Sequence, residues 1–234
     1  MSLIKAGLEK VVERIREAER VYGRQSGSVK LLAVSKTRPV CDLREACLAG
    51  QQRFGESYLQ EALEKIGQLD NQDAEWHFIG RIQSNKTRPI AENFDWVHSI
   101  ENLKQAKRIN EQRPDNLPPL SICLQVKIDP EEDKGGIAPG ELAELVAQIS
   151  ELPCLRLRGL MTLPAPSSNL ESQRRPFRRL RELRDQLSSP QVPLDTLSMG
   201  MSADLEAAIA EGSTIVRVGT AIFGPRKPIN QRSR

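Results

Sequence analysis

Eight short β-rich runs recur along this 234-residue chain, and nearly every one is followed by a helical pattern. The runs fall near 30–35 (KLLAVS), 52–55 (QRFG), 75–79 (EWHFI), 94–98 (FDWVH), 120–128 (LSICLQVKI), 154–159 (CLRLRG), 194–197 (LDTL) and 214–218 (TIVRV). Helical periodicity fills 42–50, 57–67, 85–93, 101–112, 140–151, 171–188 and 202–211. Strands that alternate with helices are joined by crossovers and pair in parallel. Eight such units in a chain of this length predict an α/β fold, a (β/α)8 TIM-type barrel, with a doubly wound open sheet as runner-up. The Pro-rich stretches RPDNLPP (113–119) and PAPSSN (164–169) read as loops rather than linkers, so residues 1–234 are expected to form a single domain.

An extra helix is expected ahead of the first strand. Residues 3–19 place Ile4, Leu8, Val11, Val12 and Ile15 on one face. Glu9, Glu13, Glu17 and Glu19 make the segment too acidic for an organelle presequence, and it reads as a packing helix. The 34 basic residues are nearly matched by 31 acidic ones, which describes a solvated surface and no nucleic-acid partner. No apolar stretch approaches the roughly 18 residues of a membrane span, so no membrane partner is expected. Cys41, Cys47, Cys123 and Cys154 lie far apart without a C-x-x-C pair, which argues against a zinc cluster or a disulfide framework and for a reducing, cytoplasmic setting.

In a barrel the C-terminal strand ends carry the chemistry. Side-chain alternation in the first strand puts Leu32, Val34 and Lys36 on one face, with Lys36 at the mouth if the other two point inward. Burial there lowers the pKa of an amine and makes it a Schiff-base nucleophile for an aldehyde, although a lysine that snorkels outward or pairs with a carboxylate fits the position equally. The loop after the seventh strand reads SMGMS (198–202), and the loop after the eighth reads VGTAIFG (218–224). Barrel enzymes bind phosphate in these two loops, while Ser202 alone would serve as an N-cap before Asp204. Arg217 interrupts the apolar run TIVRVG and shares a face with Gly219. It either completes a buried ion pair or offers a guanidinium to a heteroaromatic nitrogen. An aldehyde-seeking lysine, a phosphate cradle and an arginine for a ring nitrogen together describe pyridoxal 5′-phosphate, PLP.

The segments AVSKTRP, FGESYLQEA, WHFIGRIQSNK, RGLMTLP and LSMGMSADLEAAIAEGSTIVRVGTAIFGPR occur in this order over residues 30–226. They resemble the pyridoxal phosphate homeostasis protein family, whose barrel is similar to the N-terminal domain of alanine racemase. The resemblance implies a barrel that holds PLP as a Schiff base on Lys36, with Ser198, Gly219 and Thr220 at the phosphate and Arg217 near the pyridine nitrogen. It also implies a role in vitamin B6 balance without a firmly assigned reaction, with PLP-dependent apoenzymes as recipients and the chain a monomer. Ser57, His77 and Met199 complete the expected cofactor-binding set. Two positions depart from the family pattern: Ser57 stands where an asparagine against the cofactor ring is usual, and Lys127 replaces another asparagine.

Other candidates carry simpler readings. His77 shares a strand face with Ile79 and suits a satisfied core histidine better than a general acid; His98 ends the fourth strand and either faces the mouth or caps it. Arg81, Asn85 and Lys86 could guard the entrance, with Ser84 an expected N-cap, and QRRPFRRLRELR reads as an exposed helix face. The favoured function is a PLP carrier or buffer. The alternatives are a racemase-type PLP enzyme acting at an amino-acid α-carbon, for which Tyr22 and Tyr58 are poorly placed in sequence order, and a Schiff-base aldolase that uses Lys36 without PLP.

Overall fold

A computed structural model describes residues 2–69, 73–129 and 135–225 of the chain. Its eight strands are β1 (Lys30–Val34), β2 (Arg53–Glu56), β3 (Glu75–Phe78), β4 (Trp96–Ile100), β5 (Leu120–Gln125), β6 (Leu155–Met161), β7 (Thr196–Ser198) and β8 (Ile215–Val218). They pair in parallel, in chain order, and β8 returns to β1 to close the barrel. The expected (β/α)8 barrel is therefore the fold, and the open sheet is excluded. The helices are α1 (Leu3–Val21), α2 (Val40–Leu48), α3 (Leu59–Gln68), α4 (Thr87–Asn93), α5 (Leu103–Gln112), α6 (Leu142–Ser150), α7 (Leu170–Leu187), α8 (Leu205–Ala210) and α9 (Thr220–Phe223).

Alternation along each strand sorts the side chains into two compartments. Outward residues such as Leu31, Ala33, Phe54, Phe78, Val97, Leu160 and Val218 pack against the helices in one continuous apolar shell. Inward residues form a separate, smaller group that includes Trp96, Cys123 and Met161. The inner group is unusually polar for a barrel, because His77, His98, Ser198 and Arg217 share it and are all buried. Glycine permits a close approach of β6 to β7: a Cβ on Gly159 would lie 1.8 Å from the Thr196 carbonyl oxygen.

The extra helix has a definite architectural task. Its buried face comprises Ile4, Leu8, Val11, Ile15 and Ala18, as the periodicity predicts. The helices that follow β7 and β8 have six and four residues, too short to roof those strands. The 19-residue α1 takes their place, packing on α8, α9 and α2. Gly7 makes this possible, since a Cβ there would meet the Ile222 carbonyl oxygen of α9 at 2.7 Å. Arg14 locks the arrangement from the side by pairing with Glu206 of α8 and donating to the Ser202 carbonyl.

Local expectations fail where a cap or a short helix decides the boundary. Ser84 is not an N-cap: it opens a 3-10 turn, Ser84–Lys86, whose cap residue Gln83 makes no side-chain bond. Asp204 rather than Ser202 precedes α8, and its Oδ1 accepts from the Met201 N–H at 2.6 Å. The fifth strand ends at Gln125, short of the expected 128; Val126 beyond it makes an isolated bridge to Ile137, donates to the Met161 carbonyl and accepts from Thr162 Oγ1. The α7 basic run is only partly a free face, because Arg174, Arg178 and Arg181 converge on Glu211, which is buried at the end of α8.

Candidate functional site

The strand ends of β1, β2, β6 and β8 open onto one cavity of about 290 Å³ at the C-terminal mouth of the barrel. Lys36, Arg217, Gly219, Thr220 and Ser57 all line it. Five of the eight residues expected to bind a cofactor thus meet at one place. Ile79, Met161 and Leu163 supply apolar walls, and the loop after β7 contributes Met201, Ser202 and Ala203.

Lys36 reaches the mouth because its two neighbours are pinned. The Lys65 ammonium of α3 donates to the Ser35 carbonyl and to Glu56 Oε1, each at 2.7 Å, and also to Glu61. Ser35 Oγ donates to the same Glu56 oxygen at 2.7 Å, and the Thr37 N–H donates to Glu61 at 2.6 Å. Thr37 has a φ of 65°, a left-handed conformation that a β-branched residue adopts only under constraint. The Glu61 bond holds it there, so the cluster of Glu56 on β2 with Glu61 and Lys65 on α3 sets the direction in which Lys36 leaves the strand.

Arg217 is buried and points into the barrel from β8, where its guanidinium donates to Ser198 Oγ at 2.7 Å and to the Thr162 carbonyl at 2.8 Å. Burial lowers its pKa to about 10, leaving it charged at neutral pH, with Asp204 and the Cys123 thiol acting in the opposite direction. No carboxylate lies in ion-pair contact with it among the described residues, so the alternative of a directly paired buried arginine does not hold. Burial likewise pushes the Cys123 thiol up to about 12, which makes it an inert core group.

Gly219 forms part of the wall by lacking a side chain: a Cβ would press on the Val34 carbonyl oxygen at 3.0 Å. Ser57 is set by another close approach, because its backbone lies against Gly80, where a Cβ would stand 2.1 Å from the Ser57 carbonyl oxygen.

Three expected members sit elsewhere. Ser198 faces inward but is not among the residues lining the cavity, and its hydroxyl is shared by Arg217 and by His98 Nδ1 at 2.7 Å, so it supports the arginine. Met199, the next residue, points outward by alternation into the helix-facing shell, and its N–H is bonded to the Ile215 carbonyl. His77 is deeper still, with Nδ1 at 2.8 Å from His98 Nε2 and its ring stacked on Trp96. His98 faces the interior rather than capping its strand. Burial lowers the pKa of both imidazoles, that of His98 well below the ordinary histidine value. Arg81, Asn85 and Lys86 are exposed and outside the cavity wall. Lys127 lines a neighbouring cavity of about 150 Å³ with Asp129 and Thr162. Residues 130–134 of the QVKIDPEEDKGG stretch, and Arg226, lie outside the described residues.

Sequence reasoning missed Ser202 as a wall residue, because the S-x-G-x-S pattern directs attention to its first serine. The loop after β7 lies beyond the reach of strand alternation, and Ser202 also reads as an N-cap before Asp204.

A closed parallel barrel with a lysine on the end of β1 and an arginine rising from β8 defines a protein of the alanine-racemase barrel class. The family model described as alanine racemase, N-terminal domain, matches residues 8–227. The chain is 56% identical over 226 residues to the pyridoxal phosphate homeostasis protein of Pseudomonas aeruginosa, covering 97% of each protein. It belongs to the pyridoxal phosphate homeostasis protein family. Among solved structures, PipY of Synechococcus elongatus with PLP bound superposes with a TM-score of 0.81 at 38% identity, covering 90% of this chain and all of that one. An alanine racemase from Clostridium difficile shares the fold at a TM-score of 0.73 and 14% identity; the match spans 57% of that enzyme.

Proposed function

We propose that this chain is a PLP-holding protein that acts in intracellular vitamin B6 homeostasis, as a cytoplasmic monomer that buffers the cofactor and passes it to apoenzymes. The observation that carries the reading is the convergence of Lys36, Arg217, Gly219 and Thr220 on one cavity at the barrel mouth. The donor set suits each part of the molecule: an amine for the aldehyde, a guanidinium for the ring nitrogen, hydroxyls of Ser202 and Thr220 for the phosphate, and apolar walls for the ring faces. The bound cofactor supplies an aldehyde that amino groups capture reversibly. Lys36 would hold the cofactor through a bond from Nζ to that carbon, with water as the leaving group. Arg217, a donor with no acceptor site, would keep a facing pyridine nitrogen unprotonated.

That pairing weakens the ring as an electron sink and favours storage over carbanion chemistry. A racemase-type reading needs acid and base groups on opposite faces of a substrate carbon. Neither tyrosine is among the residues lining the cavity: Tyr58 is exposed beside it, and Tyr22 packs under Arg174 between α1 and α7. The shorter Ser57 leaves more room at the ring face than an asparagine would. The free cysteines fit a reducing compartment.

Borohydride reduction of the protein incubated with PLP, followed by peptide mapping, tests the reading. A pyridoxyl adduct on Lys36 that disappears in Lys36→Ala is the expected result. An adduct elsewhere, or none, refutes it. Release of PLP to an apoenzyme, set against amino-acid racemisation by the same preparation, separates carrier from enzyme.

A further inference from the structure

The chain has only two histidines, and they are hydrogen-bonded to each other inside the barrel. Their outer nitrogens continue in both directions. His98 Nδ1 meets Ser198 Oγ, which accepts from Arg217 at the mouth. His77 Nε2 stands 3.0 Å from Glu75 Oε1 at the start of β3, off the line of a straight hydrogen bond but close enough for charge contact. Glu75 lines a second cavity, of about 420 Å³, together with Asp73, Asp95, Arg113 and Arg156. β3 starts at Glu75, so this cavity opens at the opposite end of the barrel from Lys36.

We propose that Glu75, His77 and His98 are positioning residues for Arg217, linked as a one-way relay, hydrogen-bonded from Arg217 through Ser198 and His98 to His77 and closed by the charge contact to Glu75, that carries the counter-charge of Glu75 through the barrel to the guanidinium. The proposal rests on the reading above that Arg217 faces the cofactor ring.

The direction follows from counting protons. A guanidinium only donates, so Ser198 Oγ must accept from it and its single proton is free to point at His98 Nδ1. A neutral His98 then carries its proton on Nε2 and donates to His77 Nδ1. A neutral His77 carries its own on Nε2, facing the carboxylate. The reverse order would leave the bare lone pair of His77 Nε2 against an ionised Glu75 at 3.0 Å. Mixed orders put two protons or two lone pairs into one gap.

The surroundings support this polarity at each end. Glu75 also meets Arg53 at 3.4 Å, with Lys30 nearby, and His77 and these cations hold its carboxyl below the usual range. Asp95 also acts on His77, and Asp204 on Arg217. A carboxylate in direct contact would fix the arginine but quench its field. A relayed one fixes it and leaves the charge directed at the ligand.

The experiment uses the cofactor-free, 15N-labelled protein, in which two imidazoles give two resolvable ring systems. Both rings are expected as the neutral Nε2–H tautomer near pH 7, and the Arg217 side-chain N–H protons are expected to exchange slowly. In Glu75→Gln, whose side chain is a third exposed and whose fold should survive, the tautomer preference is lost and the Arg217 protons exchange about tenfold faster. An Nδ1–H tautomer on either ring of the unaltered protein, or Arg217 exchange indifferent to Glu75→Gln, overturns the proposal. Loading each protein with PLP is read separately. No trapped adduct in the unaltered protein refutes the cofactor reading alone, whereas equal PLP affinity and an unshifted absorption band in Glu75→Gln refute the relay.

Discussion

Lys65→Met removes the one cation of the cluster that flanks Lys36. Lys65 is 3% exposed and Glu56 fully buried, so the pair sits in low dielectric with good geometry. Glu56 Oε2 has no hydrogen-bond partner among the described residues, so the carboxylate depends on Oε1 and its bonds from Lys65 and Ser35. Losing one partner of such a pair costs about 3–5 kcal/mol, because the other charge is left buried. Methionine recovers part of the stem packing and none of the charge.

Protonation of Glu56 offers the variant a way out. Burial already raises the pKa of this carboxyl against the pull of Lys65, and loss of Lys65 raises it further. A carboxyl with a raised folded-state pKa contributes most below its unfolded value and loses that contribution as pH rises through the folded value. The variant should therefore be worst near neutrality and recover on acidification by up to about 1.4 kcal/mol per pH unit. Urea unfolding of both proteins between about pH 5 and pH 7.5 measures this. The double variant Glu56→Gln with Lys65→Met should regain most of the loss. A neutral-pH loss below about 1 kcal/mol, or one that does not shrink on acidification, would show that the cluster is solvated and does not constrain Lys36.

Three further outcomes follow from the same geometry. Gly159→Ala should destabilise the barrel by more than about 3 kcal/mol, because the clash with the Thr196 carbonyl is backbone against backbone; a normal melting temperature would contradict the β6–β7 spacing. Both histidines have depressed folded-state pKa values, so the unfolded chain binds protons first as pH falls below about 6.5, and stability should drop there by up to about 1.4 kcal/mol per unit for each. A His77→Phe variant with an unchanged acid slope would count against buried neutral imidazoles. Thr220→Ala should weaken PLP retention about tenfold, the loss expected for one hydrogen bond to a charged group, with the Lys36 adduct still trappable; titration of PLP affinity decides it.

The barrel, its extra helix and the positions of Lys36 and Arg217 were readable in the residues because each depends on a local period. Alternation carries Val34 and Lys36, or Arg217 and Gly219, to one face whatever the rest of the chain does. The same rule read through Ser198 separates it from Met199, whereas the glycine pattern of the loop groups them. Other features depend on register between strands. Glu75, His77, His98 and Ser198 come from three strands, and nothing local in EWHFI or FDWVH shows which rings will touch. The Glu56–Lys65–Glu61 cluster was hidden for a related reason. A lysine between Glu64 and Ile66 looks solvent-facing until α3 is laid against β1. Segment ends such as Ser84 and Asp204 were decided by which side chain could reach an N–H, a matter of ångströms.

The roof that α1 provides over β7 and β8 also governs when the molecule can be completed. Residues of the first helix find their partners in α8 and α9, some two hundred positions later. At about 5–20 residues per second, a ribosome takes on the order of ten seconds or more to deliver those partners. During that interval α2 is the one packing partner of α1 already made, and the part of the helix's apolar stripe that α8 and α9 will cover has no permanent neighbour. Its many charges then act as a solubility device for a nascent chain whose first element is among the last to dock.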